Sequence, residues 1–375
     1  MKRVSFLLAF FMVVCLLATM VGCASNTPSA TTPAAATTAA PVTSAAPTTT
    51  AAPLPPIKLK YADQNPPTGW EGTKAAQPFL AQITAATNGR VQFETYFSQS
   101  LFKGTDAWVS VKNGLGDMAW MFHGYWANQT TLSDVLSLPL MPFTSAKQAS
   151  GIFWQLYEKF PTLRDQYKDN QVLLTFCSQP YFLITTKKQV KTLDDVKGMQ
   201  IRVVAGPSID YMKALGAAPV TKAMPDTYIS LQKGEIDGMA VPWEALLSFR
   251  QYEVVKYYTY MPMFTVYFTI AMNKDKWNSL PRDVQDQIMS VSGLKGSLFW
   301  GENKFDTAMA EGRDLVKKQG LEMIEYTMPE SELNKFSAAA QPLWDAWVKK
   351  MTDAGHPEAK EILATTLELI KTYKP

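Results

Sequence analysis

Cysteine and histidine are both scarce in this chain of 375 residues, which has three of the first and two of the second. Cys15 and Cys23 fall within the first 23 residues, so only Cys177 remains beyond them and the body has no internal disulfide. His123 and His356 stand far apart, unlike the closely spaced ligands that zinc wants, so His123 is not expected to hold a metal; no cofactor is expected, and whether a metal assists binding stays open. An excess of one charge is also missing. Without Lys2 and Arg3, 34 basic residues face 33 acidic ones, and nothing points to nucleic acid or to a strongly anionic lipid surface as a partner. Gly-x-Ser-x-Gly, His-Glu-x-x-His, Gly-x-Gly-x-x-Gly and P-loop motifs are absent, so the common hydrolase, metalloprotease and nucleotide-binding classes lack their marks. A Cys177–His123 dyad is conceivable, but a lone cysteine in an apolar run is usually buried and inert. An enzyme is not expected.

Long apolar runs are missing except at the start. Lys2 and Arg3 precede an apolar stretch from Val4 to Met20, closed by Val21, Gly22 and Cys23. A basic start, a short apolar stretch and small residues before a processing point describe a secretion signal over residues 1–22. The run is short for a membrane-spanning helix, which needs about 20 apolar residues. A cysteine at its end resembles a lipobox, with Met20 where leucine is usual; ordinary cleavage near Ala24 is the alternative. Residues 23–56 are almost all Thr, Ala, Pro and Ser, without charge and with few large apolar groups. Such a segment cannot bury enough surface to offset its ordering entropy and serves as an extended tether. The expected location is extracytoplasmic, on a membrane through lipidated Cys23.

The body from residue 57 onward is long enough for two medium domains. Ile57 to Tyr61 alternates like a half-buried strand, a helical pattern runs from Gly72 to Thr87, and Asn88-Gly89 closes it as a left-handed cap. Val91 to Tyr96 alternates again. Strand, helix and strand in succession predict an α/β fold with mostly parallel pairing. Two segments then echo each other: Lys112-Asn113-Gly114-Leu115-Gly116-Asp117-Met118-Ala119 and Lys233-Gly234-Glu235-Ile236-Asp237-Gly238-Met239-Ala240. Each glycine suits a helix end and each aspartate the turn into a buried strand. Two such lobes would leave a ligand-sized cleft between them.

Residues Thr192-Leu193-Asp194-Asp195-Val196-Lys197-Gly198-Met199-Gln200-Ile201-Arg202-Val203 resemble the L-D-D-L-K-G-x-K-I-R-V signature of TRAP transporter solute-binding proteins, the DctP-like family. Further matches follow in order through Gly216, Pro219, the Lys233–Gly238 turn, Tyr252–Tyr257 and Leu280-Pro281, with Asn88-Gly89-Arg90 and Leu138-Pro139 in the first half. The resemblance spans essentially the whole body. It implies a two-lobed, type II periplasmic-binding-protein fold, with a long helix within Arg282 to Gln319 bracing both lobes. It also implies an organic-acid ligand and membrane permease subunits as partners. The expected division places residues 57–179 and 268–307 in one lobe, and 180–267 and 308–375 in the other. A ligand-sensing subunit of a signalling system would share the fold, and adjacency to permease genes would separate the two.

Arg202 is the leading site residue. It lies near the carboxyl end of a strand, where α/β proteins open onto their ligand crevice, and its planar fork matches a carboxylate. The residues alone leave open an arginine in a structural ion pair; the resemblance assigns this position the family's carboxylate clamp. Dicarboxylate and sialic-acid branches carry an asparagine before the proline of their D-G-Q-E-N-P stretch, and here Val241 precedes Pro242. Some branches use a second arginine where this chain has Gln179-Pro180-Tyr181-Phe182. Fewer polar partners, with Trp243, Tyr181 and Phe182 in the stretch, suggest a monocarboxylate with an apolar or aromatic body. Met224 would form a deformable wall. From the first lobe Gln64 or Trp70, and Trp120, Phe122 or His123, would complete the pocket.

Overall fold

The computed structural model describes residues 55–375. The signal, the lipidation position Cys23 and the tether up to residue 54 lie outside the described residues. Eleven strands are described: β1 (Ile57–Ala62), β2 (Val91–Tyr96), β3 (Met118–Phe122), β4 (Asn170–Cys177), β5 (Phe182–Thr185), β6 (Gln200–Val203), β7 (Ala218–Thr221), β8 (Gly238–Val241), β9 (Tyr257–Tyr260), β10 (Tyr267–Asn273) and β11 (Ile324–Thr327). They form two sheets, ordered β2-β1-β3-β10-β4 and β11-β9-β5-β8-β6-β7. Each sheet is the centre of one lobe of an α/β fold.

The pairing is mixed. β1 runs parallel to β2 and β3, and β6 parallel to β7 and β8. β10 is antiparallel to β3 and β4, and β5 is antiparallel to β8 and β9. Both exceptions have one cause. The chain crosses between lobes from β4 to β5 and returns from β9 to β10, and each arriving strand enters its sheet against the local direction.

The echoed turns have the same geometry in both lobes. Gly114 and Gly234 take φ of 75° and 72°, the left-handed conformation that costs glycine least. Asp117 then accepts the Lys60 backbone N–H at 2.7 Å, and Asp237 accepts that of Gln200 at 2.9 Å. Each carboxylate thus satisfies a backbone N–H of the strand beside its own, within β1 in one sheet and at the start of β6 in the other.

The bracing helix lies within Arg282–Gln319, as expected, and begins at Gly293. The helix Arg282–Val291 ends at Ser292, and Gly293, with φ of 55°, turns the chain into a second helical run. That run continues from Gly293–Trp300 through a π-helical segment, Gly301–Asp306, into Thr307–Lys318. Its first part packs on β4 and the helix Ala146–Lys159, and its last part on the helix Trp243–Ser248 of the other lobe. The chain's end departs from expectation. The helix Ala359–Thr372 packs on Ala146–Lys159, where Gln148 Nε2 donates to the carbonyls of Ile370 and Tyr373 at 2.9 and 3.1 Å. Its apolar stripe of Ile362, Thr366 and Ile370 is buried there, against the first lobe in place of the second.

Gly301 sits directly against the helix Ala146–Lys159. A Cβ at this position would stand 2.7 Å from the Ala146 carbonyl oxygen and 2.5 Å from Ser150 Oγ. Backbone cannot yield as a flexible side chain would, so overpacking here is costly. Gly301→Val is expected to lower unfolding free energy by about 2 kcal/mol, measured as a lower urea midpoint; an unchanged midpoint would contradict this packing.

Candidate functional site

Between the lobes lies a narrow cavity of about 20 Å³. Its first-lobe wall is aromatic. Trp120 and Phe122 project from β3 and Phe268 from β10, with ring centroids 5.2 Å apart for Trp120–Phe268 and 4.9 Å for the stacked Phe122–Phe268 pair. Gln64 and Asn65, just beyond β1, add polar groups. The second lobe contributes Tyr181, Met224, Glu244, Ala245 and Phe249. The lobes meet around the cavity: the Met224 N–H donates to Tyr125 Oη at 3.0 Å, and the Trp70 N–H to Ser248 Oγ at 3.0 Å.

Arg202 is fully buried on β6, flanked by β7 and β8. Its Nε and Nη2 donate to the Lys222 carbonyl at 3.0 and 2.8 Å, while Nη1 is buried without a partner among the described residues. No carboxylate pairs with it among those residues. Burial pulls its pKa below the ordinary arginine value, and the hydroxyls of Tyr125 and Tyr181 lie near enough to act on it. A buried guanidinium nitrogen with no acceptor is costly unless something else supplies one.

A second charged group was not foreseen from the sequence. Lys304, in the π-helical segment, is buried with its ammonium 4.7 Å from the centre of the Trp120 ring and 5.3 Å from that of Phe268. It bonds to Glu71, and the Glu244 carboxylate lies 3.8 Å away. Asn65 Nδ2 donates to Glu71 at 2.5 Å and to Asp63 at 2.8 Å. Tyr61 also donates to Asp63, at 2.7 Å. Glu71 comes from the first lobe, Glu244 from the second and Lys304 from the helix that joins them. Burial pushes the Glu244 carboxyl up to about 8, raises Asp63 and holds Lys304 well below an ordinary lysine. Only the crowding of Asp, Asn and Glu after β1 and the lone cation at Lys304 hinted at this cluster, and neither stands out from surface charge in a sequence.

The foreseen residues divide. Trp120, Phe122, Tyr181, Met224 and Gln64 line the cavity. Trp243 does not. It follows Pro242 at the start of its helix and turns into the second lobe's core, 5.0 Å from Phe182 and stacked 6.0 Å from Tyr258, with Gly312 of the bracing helix against it. Phe182 and Val241 face each other across β5 and β8 and fill the same core. Trp70 packs at the rim of that core, under Lys74. His123 lies behind β3, stacked on Tyr267 and hydrogen-bonded to Thr269 and Thr130 at 3.0 and 3.3 Å. Burial depresses its pKa to about 3, so it is a neutral core residue. Cys177 is buried on β4, and burial pushes its thiol up and away from reactivity.

Residues 62–350 match the family described as bacterial extracellular solute-binding protein, family 7, or DctP. The chain belongs to this family. A TRAP solute-binding protein from Rhodoferax ferrireducens, solved with copurified benzoate, superposes with a TM-score of 0.79 at 28% identity, covering 84% of this chain and 98% of that one. A marine metagenome TRAP protein specific for aromatic acids, solved with 3-hydroxybenzoate, gives the same score and identity over 86% and 100%. A protein from Bordetella bronchiseptica with bound mandelate is 26% identical, with a TM-score of 0.79 over 85% and 100%. This DctP-family chain is therefore a TRAP-type solute-binding protein.

The pH dependence of stability follows from Glu244. An unfolded glutamate titrates near 4.5 and the folded Glu244 near 8. Between these values the native state holds a proton that the unfolded chain has released, so this residue's contribution falls as pH rises. The stability of the wild type relative to Glu244→Gln should therefore decline from about pH 4.5 to pH 8 in paired urea titrations; a difference flat with pH would contradict the assignment.

Proposed function

We propose that this protein captures an aromatic or bulky monocarboxylate outside the cytoplasm and delivers it to the membrane subunits of a TRAP transporter. The observation that carries the proposal is the state of Arg202. It is buried, free of any acidic partner among the described residues, and has one nitrogen without an acceptor. A ligand carboxylate would supply both the missing charge and the missing acceptor. The nearby cavity walls are mostly rings, with Trp120, Phe122 and Phe268 on one side and Tyr181 and Phe249 on the other. Aromatic faces and edges pack a flat apolar body with geometric selectivity. Three relatives of known structure hold benzoate, 3-hydroxybenzoate and mandelate, each a monocarboxylate with one ring.

Capture proceeds by hinged closure. The carboxylate meets Arg202 on the second lobe, and Trp120 and Phe268 of the first lobe then cover the ring. Contacts made only when the lobes are together, such as Tyr125 with Met224, bias the equilibrium toward the closed form. Trp120 Nε1 is a buried donor without a partner among the described residues and gives the ligand a further hydrogen bond. Permease subunits then recognise the closed surface, while acylated Cys23 and the Thr/Ala/Pro tether keep the body near the membrane.

Arg202→Ala is expected to weaken binding of benzoate at least tenfold, about 1.4 kcal/mol, in calorimetry at matched folded fraction; retained affinity would remove Arg202 from the clamp. In a thermal-shift series on the wild type, aromatic and branched monocarboxylates should raise Tm more than succinate or malate, and the reverse order would overturn the ligand class.

A further inference from the structure

Arg202 does not itself line the cavity, whose own polar pole is built from other groups. At this pole Glu244 stands in the first turn of its helix, 3% exposed and lining the cavity. Its Oε1 accepts the Ser248 hydroxyl at 3.0 Å. Its Oε2 receives no hydrogen bond among the described residues, and the nearest cation, Lys304, stands 3.8 Å away and is committed to Glu71. Half of a buried carboxyl group is thus left facing a ligand cavity without a hydrogen-bond partner. Glu244 and the rings of Trp120, Phe122, Tyr181, Phe249 and Phe268 line this one cavity, so a ring held by those walls presents its substituents to the carboxyl group.

We infer that Glu244 is a specificity-determining residue that selects aromatic acids carrying a hydroxyl on the ring, by exchanging a hydrogen bond with that hydroxyl.

The charge balance at this pole decides what the substituent is. Glu71 and Glu244 face one ammonium, Lys304, in a buried cluster that Asn65 extends to Asp63. A second carboxylate on the ligand would meet acidic groups there, whereas a neutral hydroxyl meets a free oxygen. An apolar substituent would leave that oxygen unpaired, and sites built to hydrogen-bond a hydroxyl reject analogues that lack it. The same cluster therefore disfavours dicarboxylates and unsubstituted rings by two different costs.

This inference rests on the aromatic-acid proposal, and the test separates the two. Calorimetry on the whole body would compare 3- and 4-hydroxybenzoate with their methyl analogues and with benzoate. The wild type should bind at least one hydroxybenzoate fivefold or more tighter than its methyl analogue, and Glu244→Leu should reduce that ratio to below twofold. If the leucine variant does not fold, Glu244→Met fills similar volume and gives the same readout. A wild-type ratio below fivefold for both isomers, or a ratio that survives loss of the carboxyl group, would overturn the role of Glu244. Binding of benzoate that still depends on Arg202 would then leave the aromatic-acid proposal standing. Failure of every aromatic acid to bind the wild type would remove both.

Discussion

The buried ammonium of Lys304 is the contact on which the site is organised. It lies where three parts of the chain converge: the segment after β1 through Glu71, the helix after β8 through Glu244, and the π-helical turn of the bracing helix. An isolated ammonium in such surroundings would lose its proton or force the structure open. Paired with Glu71 and laid against the Trp120 and Phe268 rings, it can remain, and its position ties lobe, lobe and connecting helix to one point. π-Turns are uncommon within helices and are often found at functional sites. Here the irregularity brings Lys304 to the cavity wall, with Phe305 beside it in the first-lobe core.

Two buried cations thus differ in their surroundings, and of the two Lys304 lines the cavity. Lys304 is surrounded by acidic groups and is already paired. Arg202 has carbonyl and hydroxyl neighbours and no paired carboxylate among the described residues. An anionic ligand gains more from the second, because displacing Glu71 from Lys304 would leave a buried carboxylate uncompensated. In the proposed function this asymmetry sets the orientation, with the acid end toward Arg202 and the ring along Trp120, Phe268 and Tyr181.

Much of this was legible in the sequence, and the failures have local causes. Asp117 and Asp237, each three residues past a left-handed glycine, identify two equivalent lobes because the same backbone problem, starting a buried strand beside its neighbour, has the same solution twice. Strand periodicity located β1 and β2 within a residue. Trp243 was misplaced because sequence order gives no side-chain direction at a helix start. One residue after Pro242 the indole turns to Gly312, and the next residue, Glu244, turns to the cavity. His123 looked like a wall residue because it follows β3, but the short helical turn His123–Tyr125 sends its ring behind the sheet and brings Tyr125 forward to Gln64 and Met224. Lys304 was invisible for another reason. Between Glu302 and Asp306 it looks like ordinary surface charge, and only the π-turn and the cross-chain carboxylates at Glu71 and Glu244 make it a buried centre.

The most direct measurement is a crystal structure of the protein grown with benzoate. The account predicts the carboxylate within hydrogen-bond distance of Arg202 Nη1, the ring against Trp120 and Phe268, and the Lys304–Glu71 pair intact. A benzoate carboxylate bound instead to Lys304, with Arg202 Nη1 still lacking an acceptor, would contradict it.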